Sequence, residues 1–243
     1  MPLRDHFHSP LDDVHSWDEL HGMWPAMMVR QLSEVLPKPY FAAPSVHLGT
    51  IFEVDVATYR NLADPQGRGG EQGSGVAVAA YAPPRPTLTM EPRLPRQDVY
   101  EVRIYDNRRD RRLVAAIELV SPSNKDRPEN RASFVAKLAA LLSRGVCVSV
   151  VDVVNLHEVN LYEQLLDWWE SSDPGLGDEP PAMSALTLRL RPSGIQRLLD
   201  SWYYPLRFGQ PLPTLPIWLH ENLAVSLNLE ESYEETCRLL RIA

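Results

Sequence analysis

The chain has almost no cysteine: two in 243 residues, Cys147 inside an apolar run and Cys237 near the C-terminus. Without metal-ligand spacing between them, they exclude a disulfide framework and a cysteine zinc site, and a reducing compartment, the cytoplasm, is expected. No stretch approaches the ~18 consecutive apolar residues of a membrane span, and MPLRDHFHSPLDDVHSWDEL lacks the apolar core of a signal peptide. Neither membrane insertion nor secretion is expected. Positive charge is also scarce, with 24 Lys and Arg against 32 Asp and Glu and a net charge of −8. That balance excludes a protein that holds nucleic acid through its whole surface, because phosphate affinity needs a concentrated positive footprint.

Several catalytic signatures are missing as well. The seven histidines form no HExxH pattern, and the polar arm carrying His6, His8, His15 and His21 reads as too loose to fix a zinc shell. His15, Asp18 and His21 do recur at helical spacing, so the arm could close over a site formed by strands. The glycines of ADPQGRGGEQGSG lack the Lys-Ser/Thr that would hold a phosphate and its metal. Ser121, in SPSNK, has neither the glycines of a nucleophile elbow nor a histidine at a recognisable interval, and reads as a cap for the turn or the next helix.

What is present suits one sizeable core: 44% hydrophobic and 23% charged residues over this length predict a single domain spanning 1–243. Of the 22 prolines, five fall in 83–95 and four in 205–216, where they mark stiff connections. Residues 16–36 place Trp17, Leu20, Trp24, Met27, Met28, Leu32 and Leu36 near helical spacing behind a Ser16 cap, with Pro25 predicting a kink or break. VHLGTIFEVDVATY, about 45–59, reads as a strand carrying Glu53 and Asp55 on one face. From about 62 to 97 the composition predicts a long mobile loop with an extended proline-rich return.

VYEVRIYD (99–106) and RLVAAIELV (112–120) read as an antiparallel hairpin about a DN turn. Arg103, Arg108, Arg109, Arg111 and Arg112 supply the one dense basic run, either a solvated turn that protects strand edges or a contact for the phosphates of DNA or RNA. PENRASFVAKLAALLSRG puts Phe134, Leu138, Leu141 and Leu142 on one helical face and ends at Gly145, and VCVSVVDVV then reads as a strand covered on both faces. Beyond 155, NLYEQLLDWWES reads as a helix, MSALTLRLR as a strand, LPTLPIWL as extended and EESYEETCRLLRI as a closing helix. Adjacent Trp168 and Trp169 must face in different directions. His157 and Glu158 border the last apolar strand without a spacing that assigns them a role.

One residue breaks its surroundings. Glu118, in AAIELV, is an acid in a presumed central strand, which is costly unless the carboxylate is paired or metal-bound. Its partner is either a cation, Lys125, Lys137 or an arginine, in a buried ion pair, or a divalent ion shared with another carboxylate.

The stretch RRLVAAIELVSPSNKDRPENRASFVAKLAALLSRGVCVSVVDVV resembles the signature region of the bacterial family labelled domain of unknown function 4058. The likeness extends to MPLRDHF, LPKPYFAAPSVHLGTIFEVDVATY, NLYEQLL and PLPTLPIWL, nearly the whole chain. That family is similar in strand order, and in an acid followed by a Ser-Pro turn, to the Uma-type endonucleases and through them to the PD-(D/E)XK nuclease-like fold. The resemblance implies an α/β, restriction-endonuclease-like mixed sheet flanked by helices, with a core at about 16–154 and C-terminal additions at about 155–243. It implies Asp55 as first-strand acid and Glu118 as the acid of the E-x-K strand, with Glu53 as a further ligand for Mg²⁺ or Mn²⁺. The lysine expected two beyond Glu118 is replaced by Val120, so the cation would be Lys125 or Lys137. Two functions follow: a Mg²⁺-dependent nuclease-like phosphodiesterase, or a non-enzymatic binding protein that keeps the fold with Glu118 in a structural ion pair. The sequence sets no oligomeric state.

Overall fold

The computed structural model describes residues 2–38, 40–44, 56–61, 82, 84–90 and 111–242. In chain order the elements are α1 (Trp17–Val35), β1 (Tyr40–Pro44), β2 (Val56–Asn61), β3 (Leu88–Met90), β4 (Arg111–Leu119), α2 (Pro122–Lys125), α3 (Pro128–Ser143), β5 (Cys147–Asp152) and α4 (Leu161–Trp168). A 3₁₀ turn at Pro174–Leu176 precedes β6 (Ser184–Ser193), β7 (Gln196–Pro205), β8 (Thr214–His220), β9 (Leu223–Asn228) and α5 (Leu229–Leu240).

Among the described residues, seven strands form one mixed sheet in the order β1-β2-β4-β5-β6-β7-β3, and β8-β9 form a separate hairpin. Only β4 and β5 run parallel, joined by the α2–α3 crossover. Parallel neighbours require such a crossover, because a tight turn can only reverse the chain. β6 and β7 extend the same sheet, so the segments beyond 155 continue its hydrogen bonding. Their strand alternation separates two faces. One carries Glu118, Val150 and Leu186 and is covered by α3; the other carries Cys147 and Arg189 and is covered by the β8–β9 hairpin. Covered on both sides, β5 is buried at every position, which is why it reads as an unbroken apolar run.

α1 begins where Ser16 accepts from the Asp18 N–H, and it buries Trp17, Leu20, Trp24, Met28 and Leu32. Of the two outcomes expected at Pro25, a kink or a break, the break does not occur: the helix is continuous from Trp17 to Val35. Pro25 removes one backbone hydrogen bond, and the apolar stripe on either side is buried against the core and compensates. α3 ends as its sequence predicts: Gly145, at φ +77°, takes the left-handed conformation that an L side chain resists, and its N–H and that of Val146 satisfy the last carbonyls.

Four strands go beyond the sequence reading. β1 precedes the strand expected at about 45–59, the sequence reading has no counterpart for β7 or β9, and β3 lies inside the 62–97 stretch expected to be a loop, where Leu88–Met90 pair with Leu199–Ser201. Trp202 Nε1 also donates to the Pro84 carbonyl at 2.8 Å, fixing that return against the sheet. The expected strand at 99–106 and its DN turn lie outside the described residues. The N-terminal arm is docked as well: Leu3 exchanges backbone hydrogen bonds with Gln210 and Gly209, while Leu3, His6 and Phe7 are buried. Apolar anchors inside a polar composition thus tie down a segment that the sequence suggested was loose.

Candidate functional site

The carboxyl ends of adjacent parallel strands are where open α/β sheets place their ligands. Here each of the two strands ends in a buried carboxylate. Glu118 is the penultimate residue of β4, and Asp152 is the last of β5. Glu118 lies opposite Val150, and Asp152 is two residues further on, so strand alternation puts both carboxylates on the α3 face.

Each carboxylate has its own lysine. Lys137, on the inner face of α3, donates from Nζ to Glu118 Oε2 at 2.6 Å, with only 7% and 2% of the two side chains exposed. The ammonium also lies 6.0 Å from the centre of the Phe134 ring, at the outer reach of a cation–π contact. Lys125 is fully buried. Its ammonium donates to Asp152 Oδ2 at 3.0 Å, the Val154 carbonyl at 2.9 Å and the Ala182 carbonyl at 2.8 Å. All three of its protons are used, so this lysine bolts α2 to the end of β5. Asp152 Oδ1 accepts from the Val154 N–H at 3.0 Å. Burial pushes the Asp152 carboxyl up to about 6, against the opposing pull of Lys125 and its hydrogen bonds.

Of the two lysines, the structure therefore brings Lys137 to Glu118 and takes Lys125 to Asp152. Val120, two beyond Glu118, is buried, and its N–H donates to the Val151 carbonyl. Glu53 and Asp55 lie outside the described residues, as do Arg103, Arg108 and Arg109; β2 enters the description at Val56, paired with Ile117. Arg111 opens β4, and Arg112 beside it is exposed. Ser121 sits at the start of α2 as expected but holds it through its backbone, its N–H donating to Asn124 Oδ1 and its carbonyl accepting from the Asn124 N–H, while its hydroxyl donates to Asn124 Oδ1 at 2.9 Å. Trp168 is exposed while Trp169 is fully buried, the opposed orientation that adjacency required.

Asp152 is the residue that sequence reasoning missed. The signal was there: VVDVV interrupts an apolar run with an acid just as AAIELV does. The arm and α1 also reach the same end of the sheet. His21 Nε2 donates to the Leu119 carbonyl at 3.1 Å, and Asn155 Nδ2 donates at 3.3 Å to Asp5 Oδ2, which also holds His8 Nδ1 at 2.9 Å. Deeper in the arm, His6 Nε2 meets the Tyr233 hydroxyl at 2.7 Å. Burial, reinforced by the charge of Arg4, lowers the His6 ring to about 4.

Among the described residues no group of three His, Cys, Asp or Glu side chains is placed to hold a metal ion, and no helix is long and apolar enough to cross a membrane. No family model, curated protein or solved structure matches the chain.

Proposed function

We propose that the chain is a non-catalytic nucleic-acid-binding protein built on a nuclease-like sheet, in which Glu118 serves the fold as half of an ion pair. The observation that carries this reading is the direct contact of Lys137 Nζ with Glu118 Oε2, closed over by α3 until only 2% of the glutamate side chain is exposed. A carboxylate so covered meets a phosphodiester only if α3 withdraws, and withdrawing it would strand a charge. Lys125, with every donor satisfied, is likewise committed to structure. Nucleic acid as the partner follows from the likeness to nuclease-like proteins and from the basic run that ends in Arg111 and Arg112.

A second reading is favoured by the placement of Glu118 and Asp152 on one face at the carboxyl ends of parallel strands. In it the chain is a Mg²⁺- or Mn²⁺-dependent phosphodiesterase. Glu118 with Asp55 and Glu53 would hold the ion, which supplies a Lewis acid, and Lys137 would be the cation beside it. Two of those three carboxylates, Glu53 and Asp55, lie outside the described residues.

Thermal melting separates the two. On the first reading, millimolar Mg²⁺ or Mn²⁺ leaves the melting temperature unchanged. Glu118→Gln strands Lys137 and costs about 3–5 kcal/mol, a fall on the order of 10 °C for a chain of this size. On the second, metal raises the melting temperature, Glu118→Gln abolishes that rise, and the wild type cleaves DNA or RNA. A metal-dependent rise accompanied by cleavage would overturn the binding-protein reading.

A further inference from the structure

The opposite end of the sheet carries a different chemistry. Strand register places Arg60 of β2 directly opposite Arg112 of β4 and Arg197 of β7 opposite Pro192 of β6, one residue from Arg191. Between β4 and β6, the turn from α3 into β5 brings Arg144, and Arg197 Nη1 ties itself to that turn by donating to the Ser143 carbonyl at 2.8 Å. Val114 of β4, Gly145 of the turn and Arg191 of β6 line one cleft. Register thus brings Arg60, Arg112, Arg191 and Arg197 to the amino end of the sheet, with Arg191 rising to the rim from the face of Arg189 and Arg197 from the α3 face. At ~4.8 Å per strand, four steps from β2 to β7 span about 19 Å.

The row is held for display. Buried Asp200 accepts from Arg189 Nε at 3.0 Å and Arg191 Nε at 2.9 Å, fixing both stems through one nitrogen each. Arg189 also lies 3.5 Å over the Trp218 ring and donates to the Glu221 carbonyl at 3.1 Å. Arg112, Arg144 and Arg197 are exposed, and Arg191 is half-buried. Arg112 and Arg197 thus stand exposed beside half-buried Arg191 on a chain whose net charge is −8.

We infer that this arginine row is the nucleic-acid interface, gripping the phosphodiester backbone at the end of the sheet opposite Glu118 and Asp152. The inference rests on the binding-protein reading and locates its contact surface. A concentrated row on an otherwise acidic protein is the footprint that phosphate contacts need, and it confines the nucleic acid to one edge. About three phosphates neutralised predicts a log–log salt slope near −2 for a single strand and nearer −3 for a duplex. For a single strand that is about a 20-fold loss of affinity from 50 to 200 mM salt.

The test is fluorescence anisotropy of labelled single-stranded and duplex oligonucleotides with the full-length chain. Compared with the wild type are Arg112→Ala/Arg197→Ala and a charge-matched pair, Arg127→Ala/Arg207→Ala, whose exposed arginines lie toward the other end of the strands. The expected result is binding to one or both oligonucleotides. The first pair should weaken it at least 10-fold and lower the salt slope by about 1.4 for a single strand and about 1.8 for a duplex, with a melting temperature lowered by no more than a few degrees, since Arg197 gives up one exposed hydrogen bond. The second pair should bind like the wild type. If the wild type binds and both pairs weaken it equally, or neither does, the row is overturned while the binding-protein reading stands. If the wild type binds neither oligonucleotide, both fall. Metal-dependent cleavage that survives Arg112→Ala/Arg197→Ala overturns both.

Discussion

His6 couples the docking of the N-terminal arm to pH. The ring is 2% exposed, hydrogen-bonded to Tyr233 of α5, and held to about 4 by burial first and by the nearby positive charge of Arg4 second. Unfolded, it titrates near the usual 6.5. Because the folded value is the lower one, the unfolded chain takes up the proton first as pH falls. The contribution of His6 is complete above about 6.5 and is lost progressively toward 4. The gap of about 2.5 units corresponds to about 3 kcal/mol, of which roughly 2.5 kcal/mol is gone by pH ~4.5. Asp152 works in the opposite sense. Its folded value, raised to about 6 from 3.8, makes its burial a cost above 6 that is recovered as pH falls through the same window. The wild-type stability curve therefore changes little between 6 and 4, and the informative quantity is the difference from His6→Gln, which cannot titrate but can still meet Tyr233. Urea unfolding followed by tryptophan fluorescence should show the wild-type advantage over His6→Gln shrinking by about 2–3 kcal/mol from pH ~7.5 to ~4.5. An advantage constant across that range, or a His6 ring resonance titrating near 6.5 in the folded protein, would refute the reasoning.

Two further outcomes follow from buried charges. Lys125→Met should cost about 3–5 kcal/mol by leaving Asp152 buried without its cation; adding Asp152→Asn should recover part of that loss in urea unfolding, and no recovery would show that the two side chains are not coupled. Asp200→Ala should cost about 3 kcal/mol or more, since it removes the shared acceptor of Arg189 and Arg191 and the partner of Thr89 Oγ1 at 2.9 Å. It should also speed hydrogen exchange at Leu88–Met90 more than at β5, and equal effects on both would count against Asp200 as the anchor of β3.

Periodicity made α1, α3, α4, β5, β6 and α5 legible, because each shows a clean stripe or an unbroken apolar run. β7 was not, since Asp200 and Ser201 interrupt QRLLDSWYYP in the middle. Their meaning appears only across the strand pair, where Arg189 faces Asp200 and Leu188 faces Ser201. A cross-strand ion pair looks like loop polarity when one strand is read alone. The cue that could have rescued it is local: alternating L-R-L-R, then Gly194, then an acid flanked by leucine and tryptophan. Glu118 and Asp152 carry the same cue in sequence, an acid inside an apolar run, and what pairs each of them lies outside its own strand. The choice between Lys125 and Lys137 is a matter of distance between elements, which spacing along the chain does not encode. Lys137 reaches Glu118 because α3 packs over β5 and β6 on the face of the sheet that Glu118 shares.

Parallel pairing explains why there are two lysine–carboxylate pairs. The α2–α3 crossover must leave β4 at its carboxyl end and return to the amino end of β5, so its first turns lie over the place where both strands stop. Lys125 ends α2 there, and Lys137 lies about two and a half turns along α3, facing the sheet. One connection therefore delivers a cation to each strand end, and neither carboxylate is neutralised unless the crossover is docked. At the amino end, the described residues that enter β5 make no such crossover. There the chain merely turns from Ser143 through Gly145 into β5, and the arginines of neighbouring strands stay at the rim. The same crossover that buries Glu118 and Asp152 at one end of the sheet does not reach Arg112 and Arg197 at the other, and these two remain exposed to a ligand.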